Sequence, residues 1–211
     1  MPLVIKTRVG IIIKPGVNTI GAENLNDLYL FFNYFTFYMN AVQIIPATPS
    51  DVLTLQSIGR QTFFETFAES NTEENMAKYL EEGFSAEKLS AELSQPESAF
   101  YFAVENDQVI GYLKINRGAS QTEQQSNKAL EIERIYVLKA YHGKNIGQLL
   151  YEKAMQLAQQ QQVEYVWLGV WEENPRAIRF YEKNGFVAFD KHIFKLGEDE
   201  QTDILMKRSL P

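Results

Sequence analysis

The chain of 211 residues is 45% hydrophobic and 13% aromatic, enough for one domain of ordinary size to bury a core without covalent staples. It has no cysteine, which excludes disulfides, thiolate zinc sites and a cysteine nucleophile, and its two histidines, His142 and His192, stand in no metal-ligand spacing, so no metal is expected. A formal charge of -7 argues against a nucleic-acid partner, which would need a basic face, and leaves open either a cationic substrate or a solvated acidic surface.

Residues 1–40 differ in composition from the rest. Lys6, Arg8 and Lys14 surround Ile11–Ile13, and Leu28–Met39 (LYLFFNYFTFYM) is strongly aromatic. That run is short of the ~20 residues that span a bilayer, so no membrane partner is expected. It also lacks the basic flank and cleavage site of a signal peptide, so a cytoplasmic location is expected. Residues 1–40 are expected to be an N-terminal extension, not native or poorly packed, ahead of a domain over residues 41–211.

Within that domain Val42–Ile45 predicts an edge strand stopped by Pro46. Ser50–Asp51 then opens a helix through Leu53, Ile58 and Phe63. Ser70 and Glu73 have the spacing of a capping box for a second helix with Met76, Tyr79 and Leu80 as its buried stripe. A short third helix covers Ala86–Leu93. Asp51–Gln95 carries nine acidic residues against three basic ones, so these helices are expected to form one wall of an acceptor site or simply a solvated face. Phe100–Glu105 and Val109–Ile115 read as a hairpin turning at Asn106–Asp107, followed by a polar loop, Arg117–Lys128.

The second half alternates. Leu130–Leu138 is a strand, Gly143–Gln162 a helix with Leu150, Ala154, Leu157 and Ala158 on one stripe, and Val163–Val170 a buried strand. Asn174–Pro175 supplies an N-cap and a first helical residue, Gly185 a helix end, and Phe186–Phe189 starts another strand. This order predicts an α/β domain with parallel strands at its centre. In LEIERIYVL the apolar parity switches near Glu133–Arg134, from Leu130 and Ile132 to Ile135 and Val137. A β-bulge does that, and splaying there would free backbone groups for an extended ligand; a plain strand end is the alternative. The following loop, AYHGKNIGQLL, leads into a helix whose first N–H groups lack partners and attract anions, although its glycines match neither GxGxxG nor GxxxxGK[ST].

The series IERIYVL, HGKNIG, VWLGV and NPRAIRFYEKNGF resembles the GNAT acetyltransferases, most closely in the segment with Asn174, Ala177, Phe180, Tyr181, Gly185 and Phe186. WLGVWEENPRAIRFYEKNGF with the late GEDEQTDILMK looks more narrowly like PaiA-type spermine/spermidine N-acetyltransferases. The resemblance covers about Val42 to Leu210. It implies the GNAT (acyl-CoA N-acyltransferase) fold, a mixed central sheet with a splayed strand pair flanked by helices. It also implies acetyl-CoA as cosubstrate, without a metal, in a monomer or homodimer. Backbone groups of His142, Gly143, Lys144, Asn145, Ile146 and Gly147, with Gln148, would hold the pyrophosphate. Pantetheine would run along Ile135, Tyr136 and Val137, Asn174 and Lys183 would contact the cofactor, and Tyr181 would approach its sulfur. The loop departs from the family pattern at His142 and Asn145, but asparagine tolerates left-handed backbone better than other residues with a side chain.

The implied reaction is direct attack of an amine on a thioester. The amine must lose a proton at a cost of about 4.6 kcal/mol at pH 7, given a pKa near 10.4. Glu131 and Glu133 are the candidates to take that proton or to bind the substrate's charge, Glu131 first, and Tyr181 is the candidate donor to the leaving sulfur. A small cationic amine, a polyamine foremost, is the expected acceptor. A peptide or protein amine, or a non-catalytic CoA-binding regulatory module, is the alternative.

Overall fold

The computed structural model describes residues 41–123, 125–196 and 199–211, so the expectation for residues 1–40 lies outside the described residues. β1 (Gln43–Pro46) is a short edge strand, where a proline is tolerated. β2 (Ser98–Glu105) and β3 (Gln108–Arg117) are joined by Asn106 and Asp107, both at positive φ (51° and 61°), the turn whose twist matches a hairpin. β4 (Ala129–Val137) runs antiparallel to β3. β5 (Tyr165–Trp171) is parallel to β4, but only where Ala129–Glu131 meet Tyr165–Trp167. β6 (Val187–Leu196) and β7 (Asp199–Ser209) form a final hairpin, and β7 inserts beside β5 to give the order β1-β2-β3-β4-β5-β7-β6. The sheet is therefore mixed, and the parallel centre expected from the alternation is a single three-residue pairing.

Helices α1 (Val52–Phe67), α2 (Glu73–Gly83) and α3 (Ala86–Leu93) precede β2. α4 (Ile146–Gln160) and α5 (Pro175–Lys183) flank β5. Gly59 of α1 lies over Tyr112 of β3, and Lys153 of α4 lies over Tyr101, whose cross-strand partner is Leu113. Adjacent residues of a strand point to opposite faces, so the two helix groups cover opposite sides of the sheet. The stripe of α1 is Leu55, Ile58, Gly59, Thr62 and Phe63, whereas Leu53, expected inside, is 68% exposed. A 3-10 turn at Pro49–Asp51 delays the α-helix to Val52 and sets this phase. The cap of α2 is Thr72, which accepts from the Asn75 N–H at 3.2 Å, not Ser70. Ser70 donates to the Phe67 carbonyl at 3.1 Å and so closes the preceding helix instead.

Between β3 and β4 the register passes from Lys114↔Arg134 to Ile115↔Ile132, leaving Glu133 without a partner. Glu133 is the extra residue of a β-bulge. Leu130, Ile132, Ile135 and Val137 thereby share the α4 face despite their change of parity, and Glu131, Arg134 and Tyr136 share the α1 face.

Charges lock this bulge. Lys114 Nζ lies 2.6 Å from Glu133 and 3.0 Å from Glu92 of α3, and the Arg134 guanidinium lies 2.8 Å from Glu133 and 3.0 Å from Glu92. Two cations face two carboxylates, and Lys114 is only 6% exposed. Removing one member of so enclosed a set strands the others, whereas the exposed Lys128–Glu164 pair at 2.7 Å is screened by solvent and contributes little. Glu92→Ala is expected to lower stability by roughly 3–5 kcal/mol and Glu164→Ala to leave the urea unfolding midpoint nearly unchanged.

Candidate active site

Beyond Glu131, β4 and β5 no longer pair, and the strands splay. Tyr136 pairs with Tyr112, and the Leu138 N–H donates to the Ile110 carbonyl at 2.9 Å. The intervening Ile135 and Val137 therefore turn their backbone polar groups toward the edge that β5 has left. There a cavity of about 630 Å³ is lined by Ile135, Tyr136, Val137, His142, Gly143, Asn145, Ile146, Gly147, Gln148, Asn174 and Tyr181, among others.

The loop at its end is shaped by two left-handed residues, Gly143 (φ 82°) and Asn145 (φ 67°, ψ 9°), the latter the N-cap of α4. Asn145 thus adopts the conformation more usual for glycine, and the helix starts at Ile146 rather than at Gly143. The amides of Gly143, Asn145, Ile146 and Gly147 are not engaged by any described acceptor, and they converge where the helix dipole is positive. The amides of His142 and Lys144 are engaged, by the carbonyls of Lys139 (3.2 Å) and Tyr141 (3.3 Å), so the expected six-residue cradle contracts to four donors. His142 contributes through its ring instead. Nε2 lies 2.9 Å from the Val137 carbonyl and Nδ1 lies 2.9 Å from the Arg176 guanidinium. A carbonyl only accepts and a guanidinium only donates, so the neutral ring with its proton on Nε2 satisfies both and ties loop, strand and α5 together. Lys144 turns outward over the Tyr141 ring, and Lys183, exposed at the end of α5, lines neither cavity. Asn174 caps α5, its Oδ1 accepting from the Ala177 N–H at 3.0 Å.

A second cavity, about 250 Å³, opens on the α1 face and shares Tyr136 and Trp171 with the first. Its apolar walls include Phe63, Phe67, Tyr79, Phe84 and Trp167, and its carboxylates are Glu123, Glu131, Glu133 and Asp203. Helices α1 and α2, with Phe84 just after α2, thus give it aromatic rings, and of the two expectations for the acidic residues of this region, an acceptor wall or a solvated face, none of them lines the cavity; its acids come from β4, β7 and the loop before β4.

These four acids differ in their company. Burial alone would raise Glu133, but Arg134 and Lys114 outweigh it and hold the carboxyl below the usual range, which suits a permanent anion and not a base. Glu123 pairs with His192 at 2.5 Å. Glu131 is 2% exposed and is paired with no cation among the described residues. It accepts from Asn116 Nδ2 (2.9 Å), from the Thr122 N–H (2.8 Å) and from the Thr122 hydroxyl. Its burial outweighs those donors and pushes the carboxyl above the ordinary glutamate value. Asn116, fully buried, also donates to Glu133 at 2.6 Å and accepts from Ser98 at 2.8 Å, so one amide spaces the two glutamates. Tyr181 packs edge-on against Phe180, and burial raises its phenol, keeping it protonated at neutral pH. Asn116, Thr122 and Asp203 were not legible as site residues, because the bulge and the insertion of β7 alone bring them in.

The Acetyltransferase (GNAT) family model matches residues 60–186, and the chain belongs to that family. An uncharacterised N-acetyltransferase of Lactobacillus delbrueckii subsp. lactis is 39% identical over 172 residues, 82% of this chain and 99% of the relative. The spermidine N(1)-acetyltransferase of Thermoplasma acidophilum is 26% identical over 80% of this chain and 97% of its own length. The crystal structure of the PaiA N-acetyltransferase from T. acidophilum in complex with coenzyme A is similar at a TM-score of 0.68 and 25% identity, covering 81% of this chain and 99% of that one. The protein is accordingly an N-acetyltransferase of the acyltransferase class with the GNAT fold.

The left-handed Asn145 gives a direct test of the loop. Asn145→Gly is expected to leave the thermal midpoint unchanged or slightly raised. Asn145→Val, a β-branched residue forced into the same region, is expected to lower stability by about 1–2 kcal/mol.

Proposed function

We propose that this enzyme transfers acetyl from acetyl-CoA to a primary amine of a small cationic acceptor, with polyamines the leading class. The observation that carries the reading is the acid-lined cavity meeting the backbone-lined groove at the shared walls Tyr136 and Trp171. A volume of about 250 Å³ is below the roughly 300–1,000 Å³ of sites for drug-sized ligands, which favours a slender acceptor over a peptide. The named activity of the T. acidophilum relative supports the polyamine choice.

The groove suits a CoA thioester. The free amides of Gly143, Asn145, Ile146 and Gly147 take the pyrophosphate, and the backbone edge left by β5, the polar groups of Ile135 with the Val137 N–H, takes pantetheine as a neighbouring strand would be taken, the Val137 carbonyl being held by the His142 ring. Acetyl-CoA supplies the acetyl group at the energy of a thioester. Glu131 removes one ammonium proton, and its raised pKa brings it closer to the proton it must accept. The freed lone pair forms the C–N bond while the Val137 N–H, aimed at the splay, stabilises charge growing on the carbonyl oxygen. Tyr181 donates a hydrogen bond to the sulfur as the C–S bond breaks. Full proton transfer from it would be uphill, because a thiolate of pKa ~8.5 is a weaker base than tyrosinate at ~10, and burial widens that gap. Solvent therefore protonates the thiolate and receives the second amine proton. Glu133, held as an anion in its ion pairs, sets the field and the bulge.

A thiol-release assay over spermidine, spermine, amino acids and peptides tests the acceptor class: release dependent on polyamines is expected, and release with peptides alone would overturn the reading. Tyr181→Phe is expected to lower kcat about 10- to 100-fold, by loss of one hydrogen bond to charge. The acid limb of kcat/KM should reflect the Glu131 carboxylate, active above and inactive below its pKa, with a midpoint above 4.5. Glu131→Gln should abolish that limb together with most of the rate, whereas an unaltered limb would remove Glu131 as base.

A further inference from the structure

The strand register puts Glu131, Trp167 and Lys207 in one row, Gly169 and Leu205 in the next alternate row, and Trp171 and Asp203 in the one beyond. Residues paired across strands share a face, as do alternate residues along one, so all of these turn toward the α1 side. Of them, Glu131, Trp167, Gly169, Trp171, Asp203 and Leu205 line the smaller cavity. Glu131 and Asp203 sit at its two ends, four residues apart along β5, a rise of roughly 13 Å at ~3.3 Å per residue, and on strands that are not neighbours. One ammonium cannot touch both carboxylates.

The charges at the Asp203 end do not cancel locally. Glu133 is paired with Lys114 and Arg134, and Glu123 with His192, which is also the cross-strand partner of Asp203. Among the described residues, none donates a hydrogen bond to the Asp203 carboxylate and none forms an ion pair with it within 4 Å. Its burial pushes the carboxyl up, with the His192 charge pulling the other way. Space is kept open beside it by Gly169: a Cβ built there would lie 3.4 Å from Asp203 Oδ2 and 3.6 Å from Leu205 Cδ2. The surface between the two carboxylates is the indole rings of Trp167 and Trp171 with Leu205, which suits a methylene chain and, near its end, a cation over an aromatic face.

We propose that Asp203 is the specificity-determining residue for the acceptor, binding the distal ammonium of a substrate whose other amine reacts at Glu131, with Gly169 giving that ammonium its room. This rests on the cationic-amine reading above and adds the preference that follows from it: acceptors carrying two amines on a flexible chain over monoamines of equal length.

The test compares spermidine with octylamine, a monoamine of equal chain length, as acceptors, and calorimetric titration of 1,6-diaminohexane, for wild type, Asp203→Asn, Asp203→Glu and Gly169→Val. In wild type kcat/KM should favour spermidine. Asp203→Asn should cut that preference about 10- to 100-fold, mostly through KM, as loss of one charged partner does. Asp203→Glu should restore part of it, and Gly169→Val should reproduce the loss without a change in charge. Acetyl-CoA titration checks that each variant is folded. An equal fall for both amines, or no fall, overturns the proposal while leaving amine acetylation standing. If wild type acetylates neither amine, the acceptor reading fails, and the diamine titration still decides the subsite: binding lost in Asp203→Asn upholds it, and no binding to wild type ends it.

Discussion

The bulge at Glu133, clamped by Lys114, Arg134 and Glu92, is the constraint on which the rest of the site depends. Without the extra residue, Glu131 and Arg134, an odd number of positions apart, would lie on opposite faces of β4. With it, Glu131 and Arg134 share the α1 face and the apolar set Leu130, Ile132, Ile135 and Val137 stays continuous under α4. The same irregularity ends the pairing of β4 with β5 after Glu131. A single inserted residue thus gives the smaller cavity Glu131 and the groove its unpaired edge.

An ion cluster is a costly way to hold a backbone, since desolvating its members offsets much of the attraction between them. What it gives here is fixity at a point where hydrogen bonding alone would not decide the register. Glu92 reaches Lys114 and Arg134 from a helix of eight residues, so the clamp also fixes α3 against the sheet. Asn116 then carries the constraint to Glu131 with two donors from one amide group. The clamp explains why two glutamates two residues apart behave oppositely: Glu133 is surrounded by cations and Glu131 by neutral donors, so their carboxyls shift in opposite directions.

Much of the fold was legible because local rules agreed with it. The Asn106–Asp107 turn, the Asn174–Pro175 start and the Gly185 stop all rest on contacts within a few residues. The parity switch in β4 was legible for the same reason, as a period broken at one place. Ser70 misled because two sites compete for its hydroxyl, and the carbonyl of Phe67 at the end of the preceding helix holds it. β7 was hidden because its charged residues break the strand pattern, and only its pairing with β5 and β6 on both sides makes it a strand. The sequence does not say where a long side chain beside a loop will turn, and that of Lys144 lies over the Tyr141 ring.

The two cavities differ in how they are encoded. The groove is built from backbone groups, so its signature is a pattern of permitted φ values and helix starts, confined to Ile135–Gln148 and the following Asn174 segment. Such a site tolerates side-chain change: Asn145 replaces a glycine by adopting its conformation, and His142 turns its ring to bridge Val137 and Arg176. The smaller cavity is built from side chains on α1, α2, β4, β5, β6 and β7, together with the loop before β4, each placed by a different packing decision. No short motif can encode that arrangement, and each wall can change while the groove stays the same. Members of one family can therefore keep the backbone-built groove and diverge in the cavity beside it, and the acceptor reading proposed above accordingly rests selectivity on Glu131, Gly169 and Asp203 rather than on the glycine loop.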